Sequence, residues 1–264
     1  MKRTFVSLFL IALFFLPSLA CGSFTTDAVV GSGEVINQTI DVSNFDRVTL
    51  EGFGNVFIEQ GQTESLSVQT DENILPLLDI RVRGKELVLG VKEGFDVTPS
   101  HGTVFNLTVR SLDQLTLSGS GAFEVGPVET TDMTVSLLGS GDINITALTA
   151  EDLSIDLNGS GNIVIKDIDV KTVDTSLLGS GDISLEGKTD TQKVSVAGSG
   201  TILAGDLETT SGEVSIPGSG NITVWISDEL AVRVNGNGDI RYYGQPMIDQ
   251  SGSGSGDLIS LGDK

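Results

Sequence analysis

From residue 113 onward, apolar residues alternate with polar ones in short runs that are interrupted by glycines. Leu115 and Leu117 precede the first glycine pair, and Phe123 and Val125 follow it in the same odd-numbered phase. A period of two residues is typical of β-strands with one buried face. We therefore predict a short strand on each side of each glycine pair.

A Gly-x-Gly motif, usually Gly-Ser-Gly, recurs from Gly119 to Gly254, and successive copies start 18–20 residues apart. Internal periods of this length are typical of stacked repeats rather than of independent domains. The period is too short for a βαβ unit, which needs about 30 residues, so equivalent strands must pair in parallel from one repeat to the next. The sequence predicts an all-β fold, a parallel β-solenoid (β-helix) with rungs of about 20 residues.

The two glycines of each motif share the phase of the buried residues, whereas the residue between them, such as Ser120, points outward. We expect glycine here because a strand that bends crowds its own interior and leaves no room for a Cβ atom. The predicted corner glycines are Gly119, Gly121, Gly139, Gly141, Gly159, Gly161, Gly179, Gly181, Gly198, Gly200, Gly218 and Gly220.

The part of the chain before residue 113 has a looser pattern. Glycine pairs occur at Gly31–Gly33 and Gly52–Gly54, and none follows until Gly119. In the gap the pattern predicts a hairpin turn at Gly84–Lys85, a helical turn within 71–78, and strands over 65–70, 79–83, 86–92 and 103–110. We predict a single solenoid domain over residues 35–250, with an irregular opening section (35–112), regular rungs (113–250) and a Gly/Ser-rich last rung or tail (251–264).

The first 20 residues have the pattern of a secretory signal peptide: Lys2 and Arg3, an apolar run from Phe5 to Leu16, and small residues before Cys21. The apolar run is shorter than the roughly 20 residues of a membrane-spanning helix. Cys21 is the only cysteine, and it stands where the signal of a bacterial lipoprotein ends. We predict lipidation of Cys21, with residues 21–34 as a linker; the alternative is ordinary cleavage that leaves a free thiol. We expect the protein to be anchored in the bacterial cell envelope, on the outer membrane if the cell is Gram-negative. The alternative is that it is secreted or periplasmic.

The formal net charge is −21, and the acidic residues are spread among the predicted turns. Nucleic-acid binding requires clustered Lys and Arg, so nucleic acid is excluded as a partner. The expected partners are an envelope protein, a glycan or another copy of the chain, with membrane contact through the lipid anchor only. Aromatic residues make up only 5% of the chain, which favours a thin aliphatic core.

The residue after each corner faces outward and would line up with its equivalents about 4.8 Å apart. These residues include Asp142, Asp182 and Asp239, with Asn162 and Asn221 between them. We expect a structural ladder of side-chain hydrogen bonds. A column of oxygen ligands for Ca²⁺, with Asp142, Asp182 and Asp239 as candidates, is the alternative; no cofactor is predicted.

The residues do not suggest a catalytic site. His101 is the only histidine, in the loop Pro99–Gly102, and the basic residues of the repeats are not clustered. We therefore predict no catalytic residues. Trp225 and the Tyr242–Tyr243 pair are expected to cover the open far end of the core; the alternative is that they stack on sugar rings.

Several segments together resemble a known bacterial family. They are 42–48 (VSNFDRV), 71–76 (DENILP), 115–121 (LTLSGSG) and the repeated Gly-Ser-Gly-(Asp/Asn)-Ile. Over residues 35–245 the chain resembles the family called putative auto-transporter adhesin, head GIN domain. The resemblance implies a β-helical, exported or envelope-anchored protein, often a lipoprotein, without an established biochemical activity or assigned ligand residues.

The sequence thus favours a non-enzymatic, envelope-anchored β-solenoid with a structural or adhesin-like binding role. Two alternatives stay open. One is a carbohydrate-active β-helix enzyme, which rests on fold analogy alone, and the other is a Ca²⁺-dependent glycan-binding module.

Overall fold

The computed structural model describes residues 28–264, so the predicted signal peptide and Cys21 lie outside the described residues. This range contains one 3-10 turn, Leu75–Leu77, and none of its helices is long and apolar enough to span a membrane. The N-terminal section has nine strands: β1 (Val29–Val30), β2 (Val35–Ile40), β3 (Arg47–Gly52), β4 (Asn55–Gln60), β5 (Ser65–Asp71), β6 (Leu78–Arg83), β7 (Glu86–Val91), β8 (Val97–Thr98) and β9 (Val104–Val109).

The regular part continues with twelve strands. They are β10 (Gln114–Gly119), β11 (Ala122–Glu129), β12 (Asp132–Leu137), β13 (Asp142–Thr149), β14 (Asp152–Leu157), β15 (Asn162–Leu177), β16 (Asp182–Val196), β17 (Thr201–Ile216), β18 (Asn221–Val234), β19 (Ile240–Tyr243), β20 (Met247–Ser251) and β21 (Leu258–Ser260).

These strands stack as two columns of parallel strands, which confirms the predicted solenoid. The first column contains the segments before each glycine motif: β3, β10, β12, β14, the C-terminal halves of β15–β18, and β20. The second column contains the segments after each motif: β4, β11, β13, the N-terminal halves of β15–β18, β19 and β21. Val135 pairs with Leu115 on one side and with Ile155 on the other, so equivalent residues of successive rungs are aligned.

The second strand bends in several rungs, which the sequence analysis did not anticipate. Ile143 and Ile145 are buried, but the next buried residue is Leu148, so the alternation shifts by one position. The same shift occurs between Ile165 and Ile168 in the next rung. These rungs therefore have a third side, and one continuous aliphatic core runs the length of the stack.

The corner glycines are placed at each bend, but the reason for them differs from the expected one. A Cβ atom on Gly159 would lie 1.9 Å from the carbonyl oxygen of Gly139, and one on Gly161 would lie 1.8 Å from that of Gly141. The amide of Ser160 donates to the same Gly139 oxygen at 2.9 Å. Glycine is required because consecutive rungs approach closely at the corner, and crowding by core side chains is secondary.

The N-terminal section places its strands out of chain order. β3 and β4 form the first rung, and β7 and β9 lie on one side of it, whereas β10 and β11 lie on the other. Antiparallel strands then finish this end of the stack: β6 pairs with β7, β5 with β9, and β2 with β5. The β6–β7 connection is the predicted two-residue hairpin at Gly84–Lys85, where Gly84 has a φ of 64°.

Candidate functional site

The residues after the corners form a ladder that joins side chains to backbone amides. Oδ1 of Asp142 accepts from the amide of Asn162 at 3.2 Å and from its side-chain Nδ2 at 2.9 Å. Oδ1 of Asp182 accepts from the amide of Thr201 at 3.1 Å, and Oδ1 of Asp239 accepts from the amide of Asp257. The same Asn162 and Thr201 amides also lie 3.3 Å from the carbonyl of the preceding corner glycine. The side-chain oxygens thus supplement long backbone bonds at the bend.

This arrangement directs one oxygen of each carboxylate toward the next rung. Asp142 and Asp182 are exposed and stand two rungs apart with Asn162 between them. Asp239 also binds Arg241, whose NH2 lies 3.2 Å from Oδ2. Among residues 28–264, no three His, Cys, Asp or Glu side chains converge as a metal site would require.

Beside this ladder, the corners of three successive rungs form a surface with a single charged residue, Asp182. We call it the neutral ridge; it consists of residues 176–184, 195–203 and 215–223. Leu178 is 58% exposed and Leu203 is 48% exposed on it. The hydroxyl-bearing residues Ser180, Ser199 and Ser219 follow one another along its crest and are exposed.

The turns at the other edge of the rungs are acidic by contrast. The carboxylates there include Glu129, Asp132, Glu151, Asp152, Asp167, Asp169, Glu186, Asp190, Asp206 and Glu208. Three lysines neutralise part of this charge: Lys171 lies 2.7 Å from Glu151, Lys188 lies 3.1 Å from Asp169, and Lys264 pairs with Asp206. The hydrogen bond from Lys171 lowers the pKa of Glu151. Acidic turns are typical of a surface exposed to water. The corners, of which the neutral ridge is part, carry much less charge than these turns.

A broad polar groove of about 1,100 Å³ lies where the N-terminal section meets the regular rungs. It forms because β4 pairs with β11 only as far as Ile58, so the end of β11 pairs with β13 on one side and has no strand on the other. The side-chain amide of Gln60 takes the place of a strand there. It accepts from the amide of Glu129 at 2.8 Å and donates to the carbonyl oxygens of Glu129 and Arg110 at 2.9 and 3.2 Å. Pro127, which has no N–H to offer, lies on the same edge.

A buried carboxylate that sequence reasoning missed holds the N-terminal arm, residues 28–34. Asp71 ends β5 and is fully buried. It accepts hydrogen bonds from the hydroxyl of Ser100, from the Ser100 amide at 2.7 Å and from the Gly33 amide at 2.7 Å. The bond from the Ser100 hydroxyl is the main reason that the pKa of Asp71 lies below its usual value, because burial alone would raise it. The available sequence signal was an Asp directly after an alternating strand.

His101 belongs to the same cluster, but the geometry is not that of a catalytic triad. Its Nδ1 lies 2.8 Å from Oγ of Ser100. Because the Ser100 hydroxyl donates its proton to Asp71, Nδ1 must donate to Oγ and cannot act as its base. The cluster is suited to holding a loop, not to activating a nucleophile.

A second carboxylate, Glu64, holds the loop before β3. It accepts from the amides of Asn44 and Phe45, and its side chain is paired with Arg110 at 2.9 Å. Burial raises the pKa of Glu64, but the Asn44 amide, the Arg110 guanidinium and the Phe45 amide outweigh it, so the net shift is downward. Asn44 has a φ of 65°, and Glu64 stabilises this uncommon conformation.

The aromatic residues near the far end lie differently from the prediction. Tyr242 packs against the core as expected. Trp225 and Tyr243 instead form a pair on the outer face, and the ammonium of Lys264 lies 5.4 and 5.1 Å from their ring centroids. They do not cover the open end, because Trp225 alternates with the buried Val224 and Ile226.

The two parallel columns, the glycine corners and the ladder beside them define a parallel β-solenoid with a laterally exposed ridge. The chain belongs to the family described as putative auto-transporter adhesin, head GIN domain, whose model matches residues 44–246. This confirms the resemblance seen in the sequence.

Solved structures with this fold come from bacteria of the genus Parabacteroides. A putative lipid binding protein from Parabacteroides distasonis is 30% identical, with a TM-score of 0.83 over 89% of this chain and 99% of that chain. A putative adhesin from the same organism is 23% identical, with a TM-score of 0.80 over 89% of this chain and 100% of that chain. A putative adhesin from Parabacteroides merdae is 21% identical, with a TM-score of 0.78 over 89% and 99%. The last two show the fold alone. No curated protein is significantly similar to this chain.

Proposed function

We propose that this chain is a non-enzymatic β-solenoid lipoprotein of the bacterial cell envelope with an adhesin-like binding role. The neutral ridge is the observation that carries the proposal. Exposed leucines and serines there face the solvent without the charge that covers the acidic turns. Binding surfaces are depleted of charged residues at their centre, and the neutral ridge has that composition. The partner is an envelope protein, a glycan or another copy of the chain.

The family and its relatives support a binding role. The family carries an adhesin description, and the 30% identical relative is described as a putative lipid binding protein. Both descriptions fit a protein that works by contact at an envelope. The single histidine, His101, is hydrogen-bonded to Ser100, and the Ser100 hydroxyl donates its proton to Asp71. This arrangement supports the non-enzymatic part of the proposal.

The anchor is the second part of the proposal. Ser18-Leu19-Ala20-Cys21 follows an apolar run of signal-peptide length, and two or three acyl chains on Cys21 would hold the protein firmly to a membrane. Mass spectrometry of the N-terminal peptide from a membrane fraction tests this directly. A free Cys21 thiol in that peptide would contradict the anchor.

The binding role is tested by screening the purified protein against envelope proteins, glycan arrays and itself. The double variant Leu178→Asp/Leu203→Asp should weaken the binding that the wild type shows by at least about tenfold, because it places two charges on the neutral ridge. Phe57→Asp, at a residue 42% exposed on β4, is the matched control and should bind as the wild type does. Equal loss in both variants, or no binding by the wild type, would contradict the proposal.

A further inference from the structure

We propose that the N-terminal end of the solenoid is a membrane-contact face that binds anionic phospholipid bilayers. The face consists of the edge strand β6, the β6–β7 turn, the loop 92–96 and the cleft between β2 and β6. The inference rests on the proposed envelope location. The face is separate from the neutral ridge, because the two lie on opposite sides of the first rung. Four observations carry it.

The first is where the chain leaves the fold. β1 pairs with β8 at this end, with the Val29 amide 2.8 Å from the carbonyl of Asp96. Asn73 binds the Val30 carbonyl at 2.9 Å, and Asp71 binds the Gly33 amide. The arm is therefore fixed up to Val29. At about 3.5 Å per residue, the residues between Val29 and Cys21 can span no more than about 28 Å, so a bilayer that holds Cys21 lies close to this end.

The second is charge. Residues 78–96, which include β6, the β6–β7 turn and the loop 92–96, contain Arg81, Arg83, Lys85 and Lys92 against Asp79, Glu86, Glu93 and Asp96, in a chain whose net charge is −21. Arg81 pairs with Asp79, and Lys85 lies 3.5 Å from Asp46. Arg83 is exposed, and within residues 28–264 it forms no ion pair. This end is therefore close to neutral on an acidic molecule, and three of its cations are concentrated within residues 81–85. Cations next to a bilayer are attracted by anionic lipids.

The third is exposed apolar surface beside these cations. Phe95 is 49% exposed at the tip of a turn that is closed by the bond from its amide to the carbonyl of Lys92. Its neighbour Asp96 accepts the Val29 amide, so Phe95 stands next to the point where the arm leaves. Val82 is 37% exposed between Arg81 and Arg83. Aromatic and aliphatic side chains interleaved with Arg and Lys are typical of surfaces that lie in the interface of a bilayer.

The fourth is a cleft of about 360 Å³ between the edge strands β2 and β6. Ile40, Leu75, Leu78 and Ile80 line it together with the polar residues Gln38, Asp79 and Lys92. All four apolar residues belong to the core or pack against it. An opening with aliphatic side chains and a lysine is complementary to the acyl region and the headgroup of an anionic phospholipid. A nucleic acid or an acidic peptide would use the cations but would leave Phe95 and the cleft without a role.

The test uses the chain from residue 21 onward with Cys21→Ser, so that no acyl chain contributes. The protein is sedimented with vesicles of phosphatidylcholine and with vesicles that also contain phosphatidylglycerol. We expect binding to the second kind only, and we expect it to fall as salt is added. Failure to bind anionic vesicles would overturn this inference. It would not contradict the lipidation of Cys21 or the binding at the neutral ridge, which are tested separately.

Two pairs of variants locate the contact. Arg81→Gln/Arg83→Gln/Lys85→Gln should weaken vesicle binding at least about tenfold, whereas Lys171→Gln/Lys188→Gln/Lys193→Gln removes the same charge from the regular rungs and should not weaken it. Phe95→Ser should reduce binding severalfold, and Phe57→Ser, at a similarly exposed phenylalanine, should not. Unchanged melting temperatures show that each variant is folded. Equal losses in a variant and its control would overturn the inference, because binding would then depend on net charge or general hydrophobicity.

Discussion

The regular rungs and the N-terminal section bury similar aliphatic side chains but satisfy their backbones in different ways. In the regular rungs, each strand pairs with its own equivalent one repeat away, and the same ladder continues from β10 to β21. In the N-terminal section, antiparallel strands and buried or half-buried carboxylates bind the backbone groups instead. Asp71 and Glu64 together accept bonds from the amides of four residues, Gly33, Ser100, Asn44 and Phe45.

The difference shows what a repeat can and cannot specify. A repeat can extend a stack because every rung presents the next with the same backbone groups. It cannot finish one, since the last strand always leaves an unpaired edge. Ending the stack therefore requires side chains that occur once: Asp71, Glu64 and the Gln60 amide that replaces a strand beside Glu129.

The largest expected effect comes from a corner of the regular rungs. Gly159→Val would put a branched side chain where a Cβ atom already meets the Gly139 carbonyl at 1.9 Å, and we expect a loss of about 3 kcal/mol or more in the free energy of unfolding. Ser160→Val should change it little, because Ser160 is exposed. Thermal or urea unfolding of both variants measures the difference, and equal midpoints would contradict the close approach of the rungs.

Acid should loosen the N-terminal section first. The folded-state pKa values of Asp71 and Glu64 lie below their usual values, so the stability they provide is complete above the unfolded-state values near 4. It is lost as the pH falls through the lower folded-state values. Pulsed hydrogen exchange after incubation between pH 7 and pH 3 should show opening in residues 28–112 before residues 113–251.

The double variant Asp71→Asn/Glu64→Gln should show this opening already at pH 7. Asp41→Asn changes an exposed carboxylate without a side-chain hydrogen bond and serves as the control. If the regular rungs open at a higher pH than the N-terminal section, the contrast between the two regions is wrong.

A smaller effect is expected inside the regular core. Gln192 is 2% exposed, and within residues 28–264 neither polar atom of its side chain has a hydrogen-bond partner. The equivalent positions in the two preceding rungs are Val173 and Leu153. Gln192→Leu should therefore stabilise the protein by about 1–2 kcal/mol, seen as a higher melting temperature. Gln69→Leu, at an exposed glutamine, should have no such effect; a lower melting temperature for Gln192→Leu would show that its amide is satisfied.

The smallest effect concerns the ladder beside the corners. Asp142→Ala removes an acceptor for two bonds from Asn162 and should cost about 0.5–1 kcal/mol, whereas Asp156→Ala, an exposed carboxylate in the first column, should cost less. Calcium or a chelator should shift neither melting temperature. A calcium-dependent rise that disappears in Asp142→Ala and Asp182→Ala would restore the metal alternative.

Sequence reasoning succeeded where the chemistry is periodic. The alternation around Leu115 and Phe123 and the spacing of the glycines were sufficient to predict parallel stacking, because burial and backbone pairing repeat with the same period. It failed where a contact joins residues far apart in the chain. Nothing local in Asp71 or Gln60 indicates partners at Ser100 or Glu129. The bend after Ile145 was missed because a shift of one residue resembles noise in a period of two.

The register that pairs Ile143 with Ile163 and Ile163 with Ile183 has a consequence for how such a molecule changes over evolutionary time. Duplicating or deleting one 20-residue module would alter the length of the rod by a single step of about 4.8 Å. The hairpins at its beginning would be untouched. The length of the solenoid could thus change by recombination within the gene, without any change to the N-terminal section.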